Sequence, residues 1–541
     1  SSHPRRPSPA PTRSAPEPPA EVRTTTPASG GPVAKKSVID VDLADLYAKP
    51  DRKGYLYTLG WGDYVTVEET TSKHLRVRTV RYEEKDDGSI LPVPTDAFIQ
   101  PTKSSGLEPA DVVRPRSKNR VLKVNFVDVQ QGDGTVIETP DGKVILVDGG
   151  DNQLFARYLA ARYRGTSEAK PRAIECIVVT HGDADHFSGL TQIEKSERQS
   201  ERRKRLFIRP ERVYHNGLVK RPGSRNGVRT KEKDMLGPTK KVEGETVIVG
   251  LEEDLLAVPD DEMNRPFKAW KRALEVWNAR APIAFRRLAF GDDDAFDFLD
   301  DDQIKISVLG PIQTMAGSTP GLKFLGDPPK GPRVGHESLS LDEKDFRGHD
   351  PAHTINGHSI VLQIRYGGFA YLLSGDLNDE SGRTLARRHQ TGDVNLRSEV
   401  FKVPHHGSAD FSGAFFQMVS PIVSVVSSGD ESSRKEYIHP RATLMGALGR
   451  HSRVEEPLIF VTELVAFFAM EGWSRLTDRK KADKRGDFFG FSRAAYGLVK
   501  TRTDGSRLVV YTDSGKANMK EAYCYRLDAD GLPVPVPVVR A

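Results

Sequence analysis

The sequence predicts an α/β protein with its chemistry gathered at strand ends, and three observations predict it. Short apolar runs of strand length recur through the middle of the chain, at 144–147, 174–179, 360–364, 370–373, 399–403 and 422–426. Between the first two of these, Leu154, Phe155, Tyr158 and Leu159 follow helical spacing, with Asp151 placed to cap the helix. Four of the six runs also end in Asp or His. The first ends in Asp148-Gly149-Gly150, the second in Thr180-His181-Gly182-Asp183-Ala184-Asp185-His186, and later ones in Ser374-Gly375-Asp376 and Pro404-His405-His406-Gly407-Ser408.

The densest of these ends carries four metal-capable side chains. Asp185 and His186 are adjacent, so their side chains point in different directions, and a His-x-Asp-x-Asp-His loop can serve two metal ions at once. Two ions suit a reaction in which a hydroxide is generated between them and a phosphoryl or acyl centre is clamped.

Composition sets outer limits. The chain has 541 residues, 37% hydrophobic and 29% charged, enough for a large core and more than one domain. No apolar run approaches the roughly 18 residues of a membrane span, and residues 1–35 hold no apolar stretch of the signal-peptide kind. A cytoplasmic protein without a membrane partner is therefore expected. The two cysteines, Cys176 and Cys524, give no disulfide framework, and Cys176 falls inside a buried strand as a small hydrophobe. Net charge is +5 but uneven. Residues 195–233 carry 14 Lys and Arg against four Glu, and 292–302 carry seven Asp with no basic residue. The basic block is either a phosphate-tracking surface or a solvated face. The acidic run is expected as an exposed loop.

Five segments are expected. Residues 1–35, rich in Pro, Ser, Thr and Ala, read as a disordered tail. Residues 36–101 alternate apolar and polar in short runs separated by turns such as Trp61-Gly62-Asp63 and Asp86-Asp87-Gly88, which suggests a small β-barrel similar to SH3 domains. Such modules bind peptides or nucleic acid, or pack on a catalytic domain, so a protein partner is one candidate role. Residues 102–118 read as a linker and 119–465 as the catalytic domain, interrupted by an insertion over 195–345 in which 267–276 looks helical and 304–309 looks like a core strand. Helix signals resume beyond Gly189. Residues 466–541 read as a terminal β-extension with runs at 497–501, 507–511 and 521–526.

Four motifs carry a family resemblance: Val127-Asp128-Val129-Gln130-Gln131-Gly132-Asp133, the metal loop in its Asp183 form, Asn356-Gly357-His358-Ser359-Ile360-Val361-Leu362, and Lys402-Val403-Pro404-His405-His406-Gly407-Ser408. With them the chain resembles the metallo-β-lactamase superfamily, and within it the metallo-β-lactamase domain of the competence DNA-uptake protein ComEC and its free-standing relatives. The resemblance covers roughly 119–195 and 350–450 and implies an αββα sandwich.

It also implies roles. His181 and Asp183 would bind one metal, Asp185 and His186 the other, Asp376 would bridge both, and His406 would complete the second, with His405 on the substrate phosphate. The catalytic set is then Asp185, Asp376 and His405. Asp148 and Asp128 would orient the ligands by hydrogen bonding, as would Asp133 unless it is a turn residue. Ser408 and His439 would contact substrate; Arg202, Arg203, Lys204 and Arg205 are added to that set by the charge of the basic block alone, not by the resemblance. Asp183 stands where the lactamase pattern has a second His, which tilts the first site toward a hard ion, so the two divalent ions are Mn²⁺ or Zn²⁺ with Mg²⁺ also open. The third ligand of the first ion is open among His353, Asn356 and His358, and a weak first site or a single metal is a further alternative.

The expected function is that of a metal-dependent hydrolase, a phosphodiesterase or nuclease acting on DNA. Hydrolysis of small phosphodiesters or phosphocholine-type esters is the alternative within enzymes. The alternative from another class is an interaction protein that recruits a partner through its barrel and basic block.

Overall fold

The computed structural model describes residues 34–84, 90–225, 227–299, 301, 303–326, 348–429, 439–463, 473–474, 490–491, 497–513 and 520–541. The Pro-rich stretch 1–33, the Asp86-Asp87-Gly88 turn and residues 327–345 of the expected insertion lie outside them.

Strand alternation builds four layers: helix, sheet, sheet, helix. In the strand Val144–Val147, Ile145 and Val147 enter the core between two sheets, while Val144 and Leu146 meet the helices behind. Cys176 and Val178 again point inward between the sheets, and Ile177 and Val179 point outward to the helices. Strands covered on both faces have no reason to alternate apolar with polar, which is why these runs are continuously apolar.

The first sheet has ten strands, in the order Ala284–Arg287, Arg212–His215, Cys176–Val178, Val144–Val147, Thr135–Glu138, Leu122–Val127, Leu498–Thr503, Arg507–Thr512, Ala522–Leu527 and Pro533–Val536. Its outer face is covered by α1 (Leu154–Arg162), α2 (Ala184–Ser196) and α3 (Arg265–Arg280), which bring Phe155, Phe187, Trp270 and Trp277 into one cluster. The second sheet runs Ile304–Gly310, Val361–Tyr366, Phe369–Leu373, Val400–Lys402, Val423–Val426 and Leu458–Val461. A short helix, α4 (Pro351–Gly357), precedes its second strand. The other face of this sheet packs on α5 (Asp379–Gln390), α6 (Gly413–Val419) and α7 (Ala442–His451) through Leu372, Phe401, Leu385, Phe416 and Leu444.

Four strands of each sheet run parallel, from 144–147 to 284–287 and from 369–373 to 458–461. Their carboxyl ends therefore open at common edges, where open α/β sheets place their ligands. Asp148, the metal loop, Asp376 and His405-His406 all follow such ends directly.

Several expectations change. Asp151 does not cap α1; Asn152 Oδ1 accepts from Leu154 N at 2.8 Å. α2 begins at Ala184, not beyond Gly189, so Asp185 and His186 occupy its first turn. The expected insertion 195–345 is in part integral to the sandwich. Val213 is buried in Arg212–His215, which extends the first sheet, and Ile304, Ile306 and Val308 alternate inward from an edge of the second. The acidic run is not a plain exposed loop: Ala295, Phe296 and Leu299 are buried between its aspartates, and Asp292 and Asp294 pair with Arg286. The segment expected as a linker supplies a strand, Val113–Pro115, that pairs with Lys35–Ile39 because Val112 is buried and Arg114 reaches Asp40.

The N-terminal strands form a seven-stranded antiparallel sheet with its own core of Ile39, Leu46, Leu59, Val67, Leu75, Val77 and Ile99. It meets the first sheet through Trp61 and Leu43, which pack with Val509 and Tyr511. Asp63 Oδ1 lies 3.6 Å from Nη2 of Arg502, whose side chain is fully buried.

Burial opposes charge on Asp63, but Arg502, then Lys500 and Lys123, outweigh it and bring the carboxyl down to about 2. The folded value lies below the unfolded value of about 4, so this contribution is complete above roughly pH 5 and is lost as pH falls through 4 toward 2. Asp63→Asn is expected to flatten the loss of stability across that window in denaturant titrations. Acid curves parallel to wild type would show that Asp63 contributes nothing.

Candidate metal centre

The site begins with Asp148. Its backbone is left-handed (φ 58°), which turns its carboxylate under the next strand. Oδ1 accepts from Thr180 N at 2.8 Å, and Oδ2 accepts from Thr180 Oγ1 at 2.7 Å and from His186 Nδ1 at 2.9 Å. A carboxylate on Nδ1 fixes the imidazole tautomer and leaves Nε2 as the donor atom. Behind the loop, α2 sits tight on the 149–150 turn: a Cβ on Gly189 would lie 1.8 Å from the Gly149 carbonyl oxygen. In front of it, Gln131 Nε2 donates to Asp185 Oδ2 at 2.8 Å. The adjoining Gly132 is left-handed (φ 102°), and a Cβ there would lie 1.7 Å from the Asp185 carbonyl oxygen.

The second sheet supplies the other half. Asp376 N donates to Ser359 Oγ at 3.0 Å, and the same hydroxyl lies 3.3 Å from His181 Nδ1. His406 is left-handed (φ 53°), and its Nδ1 lies 3.1 Å from the Ser427 carbonyl oxygen and 3.3 Å from Asp133 Oδ1. Lys402 Nζ donates to Asp133 Oδ2. Three Nε2 atoms thus converge on one carboxylate. His186 is 3.2 Å from Asp376 Oδ1, while His406 and His181 are 3.1 and 3.8 Å from Asp376 Oδ2. His406 Nε2 is also 3.7 Å from Asp185 Oδ2.

These atoms fit a cation by an independent criterion. Nε2 of His181, His186 and His406 and Oδ1 of Asp376 are buried and make no hydrogen bond of acceptable geometry, despite the 3.2 Å approach of His186 to Asp376. Buried polar atoms are rarely left this way in native proteins without a reason such as an ion. Among the described residues, four groups have ligand atoms within 4.8 Å of one another: His181-His186-Asp376, Asp185-His186-His406, Asp133-Asp376-His406 and Asp133-Asp148-His186.

The electrostatics agree. Burial, reinforced by His186, drives the His181 imidazole well below its ordinary range. At His406 burial is outweighed by Asp376 and Asp133, which push the imidazole up to about 10. At Asp376 burial is outweighed by His186 and His406, and the carboxyl lies well below the usual range. The carboxylates that favour a proton on His406 equally favour a divalent cation.

Not every expected residue reaches this cluster. Asp183 lies outside the four groups, and its Oδ1 accepts from Lys220 Nζ at 3.1 Å. His353 Nδ1 lies 3.3 Å from Asp410 Oδ2, and His358 Nε2 donates to the Lys323 carbonyl oxygen at 2.7 Å, so neither joins a group. Asn356 Nδ2 donates to His405 Nε2 at 3.3 Å. The His405 ring centroid lies 6.2 Å from that of His406 and 6.1 Å from that of His439. Ser408 Oγ accepts from Asp410 N, and Asp128 Oδ1 accepts from Gln130 N.

The basic block is displaced from the position expected for it. α2 leads away from the metal loop for 13 residues, about 20 Å at 1.5 Å per residue, and only then reaches Arg202–Lys204. There Glu201 pairs with Arg203 and with the buried Lys204, and Arg205 Nε donates to the Gln199 carbonyl, while Arg202 is exposed.

Residue-type reasoning missed Gln131, Lys220, Ser359 and Lys402. Lys402 and Gln131 lay inside quoted motifs, and an amine three residues before His405 was the available signal. Lys220 lies 37 residues beyond Asp183, and no local pattern marks it.

Comparison with known proteins follows the same lines. The Metallo-beta-lactamase superfamily profile matches residues 127–251. The chain is similar to ComE operon protein 3 of Bacillus subtilis (strain 168), 34% identical over 120 residues that make up 21% of this chain and 14% of that protein. It is also similar to Competence protein ComA of Neisseria gonorrhoeae, 36% identical over 97 residues, 18% of this chain and 13% of that one. The matches thus span about one-seventh of those relatives' length. Two structures of CmlA, a diiron β-hydroxylase from Streptomyces venezuelae, one of them a point mutant, align over 77% of this chain and 74% of theirs at 12% identity. Their TM-scores of 0.27 and 0.29 carry no argument.

Gly132→Ala should press on the Asp185 carbonyl. The expected cost is about 1–3 kcal/mol of stability, with weaker binding of Mn²⁺ or Zn²⁺ in calorimetric titration. Unchanged stability and metal affinity would show that the 130–133 turn does not hold the metal loop.

Proposed function

We propose that this metallo-β-lactamase superfamily domain, similar to those of competence proteins, is a metal-dependent hydrolase of phosphodiesters whose substrate is nucleic acid, DNA first. The observation that carries the reading is the convergence of three buried, unbonded imidazole nitrogens on Asp376.

Asp185, His186, Asp376 and His406 would hold a divalent ion, Mn²⁺ or Zn²⁺ with Mg²⁺ as a further candidate. When bound, such an ion supplies Lewis acidity toward phosphate oxygens and a water that deprotonates near neutral pH. The second ion expected from the sequence would rest on His181, Asp183 and Asp376. His186 is oriented by Asp148, His406 by Asp133 and the Ser427 carbonyl, and Asp185 by Gln131. His405, held by Asn356, and His439 beside it would contact a phosphate next to the ligands. Ser408 belongs to the same turn and orders it through Asp410 N. We assign catalysis to Asp185, Asp376 and His405.

The domain reading is also proposed. Residues 36–101, extended by the strand at 113–115, would form a small SH3-like barrel able to bind a protein partner, and 466–541 a β-extension of the catalytic domain. A cytoplasmic location is proposed with them. Among the described residues no helix is long and apolar enough to cross a membrane.

The test is incubation of purified protein with single- and double-stranded DNA, RNA and bis(p-nitrophenyl) phosphate under Mn²⁺, Zn²⁺, Mg²⁺ or chelator. Asp376→Ala is expected to reduce every activity to the no-enzyme level with unchanged circular dichroism. Turnover that survives in Asp376→Ala would place the chemistry elsewhere. Hydrolysis of small esters with DNA untouched would favour the small-phosphodiester reading.

The basic block gives a separate expectation. Each duplex phosphate neutralised contributes about 0.9 to the slope of log affinity against log salt. Because three of the four residues are tied to neighbours at the far end of α2, replacing Arg202, Arg203, Lys204 and Arg205 with Gln is expected to leave that slope for DNA unchanged. A slope that falls by one or more would show that the block does contact phosphates.

A further inference from the structure

The candidate ligands converge around Asp376 without Asp183, and Asp183 already holds a positive charge. Asp185, His186, Asp376 and His406 approach one another as metal ligands do. Of the three residues expected to complete a second ion's shell, His358 gives Nε2 to the Lys323 carbonyl, His353 Nδ1 faces Asp410 and Asn356 Nδ2 donates to His405, and among the described residues neither histidine joins a group of converging ligand atoms. Asp183, the remaining carboxylate, is bonded to Lys220 at 3.1 Å, both side chains being about three-quarters buried (26% and 25% exposed).

Lys220 is not a loose surface side chain that happens to fall on Asp183. Its segment is seated on the metal loop at several points. A Cβ on Gly182 would lie 3.3 Å from the Leu218 carbonyl oxygen, so the two stretches are in close contact. Leu218 N donates to Asn216 Oδ1, while Asn216 Nδ2 donates to the His358 carbonyl oxygen at 2.9 Å, tying the segment to the second sheet. The Lys220 carbonyl accepts from Asn264 N at 2.9 Å, and Asn264 caps α3. A lysine held in this way delivers its ammonium to a fixed place.

We propose that the Lys220 ammonium stands in for one of the two cations: the centre takes a single divalent ion, on Asp185, His186, Asp376 and His406, and Lys220 neutralises Asp183 where a second ion would sit. The Asp in place of the second His of the metal loop then serves a different purpose from tuning the metal. A neutral imidazole at position 183 could accept a hydrogen bond from Lys220 but would not balance its charge, whereas a carboxylate forms a charge-assisted bond with it. An ammonium on Asp183, two residues from both His181 and Asp185, also opposes a nearby divalent ion by like-charge repulsion, which within a few ångströms shifts ionic equilibria by roughly ten- to a thousandfold.

The inference rests on the proposed metal-dependent reading, and the experiment separates the two. Metal-free protein is titrated with Mn²⁺ and with Zn²⁺ by calorimetry, and bound metal is counted by elemental analysis after desalting. Wild type is expected to retain one equivalent. Lys220→Met and Lys220→Gln are expected to gain a second, at least about tenfold tighter than any second binding in wild type, while Lys220→Arg keeps one. Circular dichroism and melting curves confirm that each variant is folded, and two neutral replacements guard against one that is not. Two tight equivalents in wild type, or no gain in either neutral variant, would overturn the role given to Lys220 and leave the hydrolase reading standing. Less than about half an equivalent in wild type after loading would sink the metal-dependent reading itself.

Discussion

Three imidazoles and several carboxylates are buried at one point between two sheets, and the rest of the catalytic architecture follows from the need to make that tolerable. Unpaired buried charge costs several kcal/mol per group, so each member must have a partner. The outward-facing ring nitrogens have theirs: His186 Nδ1 has Asp148, His406 Nδ1 has Asp133 and the Ser427 carbonyl, and His181 Nδ1 has the hydroxyls of Thr180 and Ser359. The partners are held in turn. Asp148 is anchored by Thr180, and Asp133 by Lys402 from the opposite sheet. The inward atoms, the three Nε2 and Asp376 Oδ1, are among those left without a hydrogen bond. Ligand atoms held from behind and left bare in front form a candidate cation site.

The sandwich supplies the geometry at low cost because its strands are parallel where it matters. Every parallel strand ends at the same edge as its neighbour, so a residue just past one end lies beside the residue just past the next. Left-handed backbone at Asp148, His405, His406 and Gly407 then turns the chain sharply, and the side chains point along the edge and not into the helices behind. Non-glycine residues in this region are strained by an amount of order 1–3 kcal/mol each, and such strain gathers at functional sites. Close approach of Gly132 and Gly189 to backbone carbonyls locks the first-sheet half from both sides.

Lys402 and Lys220 show two uses of a lysine near such a centre. Lys402 is almost fully buried and touches Asp133, which touches His406; its charge is spent on orientation. Lys220 is partly exposed and touches Asp183 directly, where its charge bears on how many ions the centre accommodates. The basic block at 195–233 contains Lys220 together with Arg202 to Arg205, yet the fold separates them. The latter sit beyond the end of α2, while Lys220 returns to the mouth after the strand Arg212–His215. A run of like charge in sequence is thus not a single surface in space.

The sequence alone determined the layer pattern and the strand ends at which the candidate ligands gather. Apolar runs at 360–364, 370–373, 399–403 and 422–426 appear as strands within one or two residues of those bounds, because burial on both faces leaves a signature that needs no partner to be read. His181, Asp185, His186, Asp376 and His406 were legible for a related reason: polar, metal-capable residues directly after a buried strand have no structural excuse for being there. Tertiary structure alone decided which of the expected residues meet. His353 and His358 are near Asp376 in sequence and in the right residue class, but the turn at α4 aims one at Asp410 and the other at Lys323. Asp183 reads as a ligand until Lys220 arrives from 37 residues away, and Lys402 reads as a strand residue until Asp133 crosses from the other sheet. The physical reason is the same in each case. A strand end fixes where a side chain begins, while its charge partner is fixed by packing between segments that carry no local record of one another.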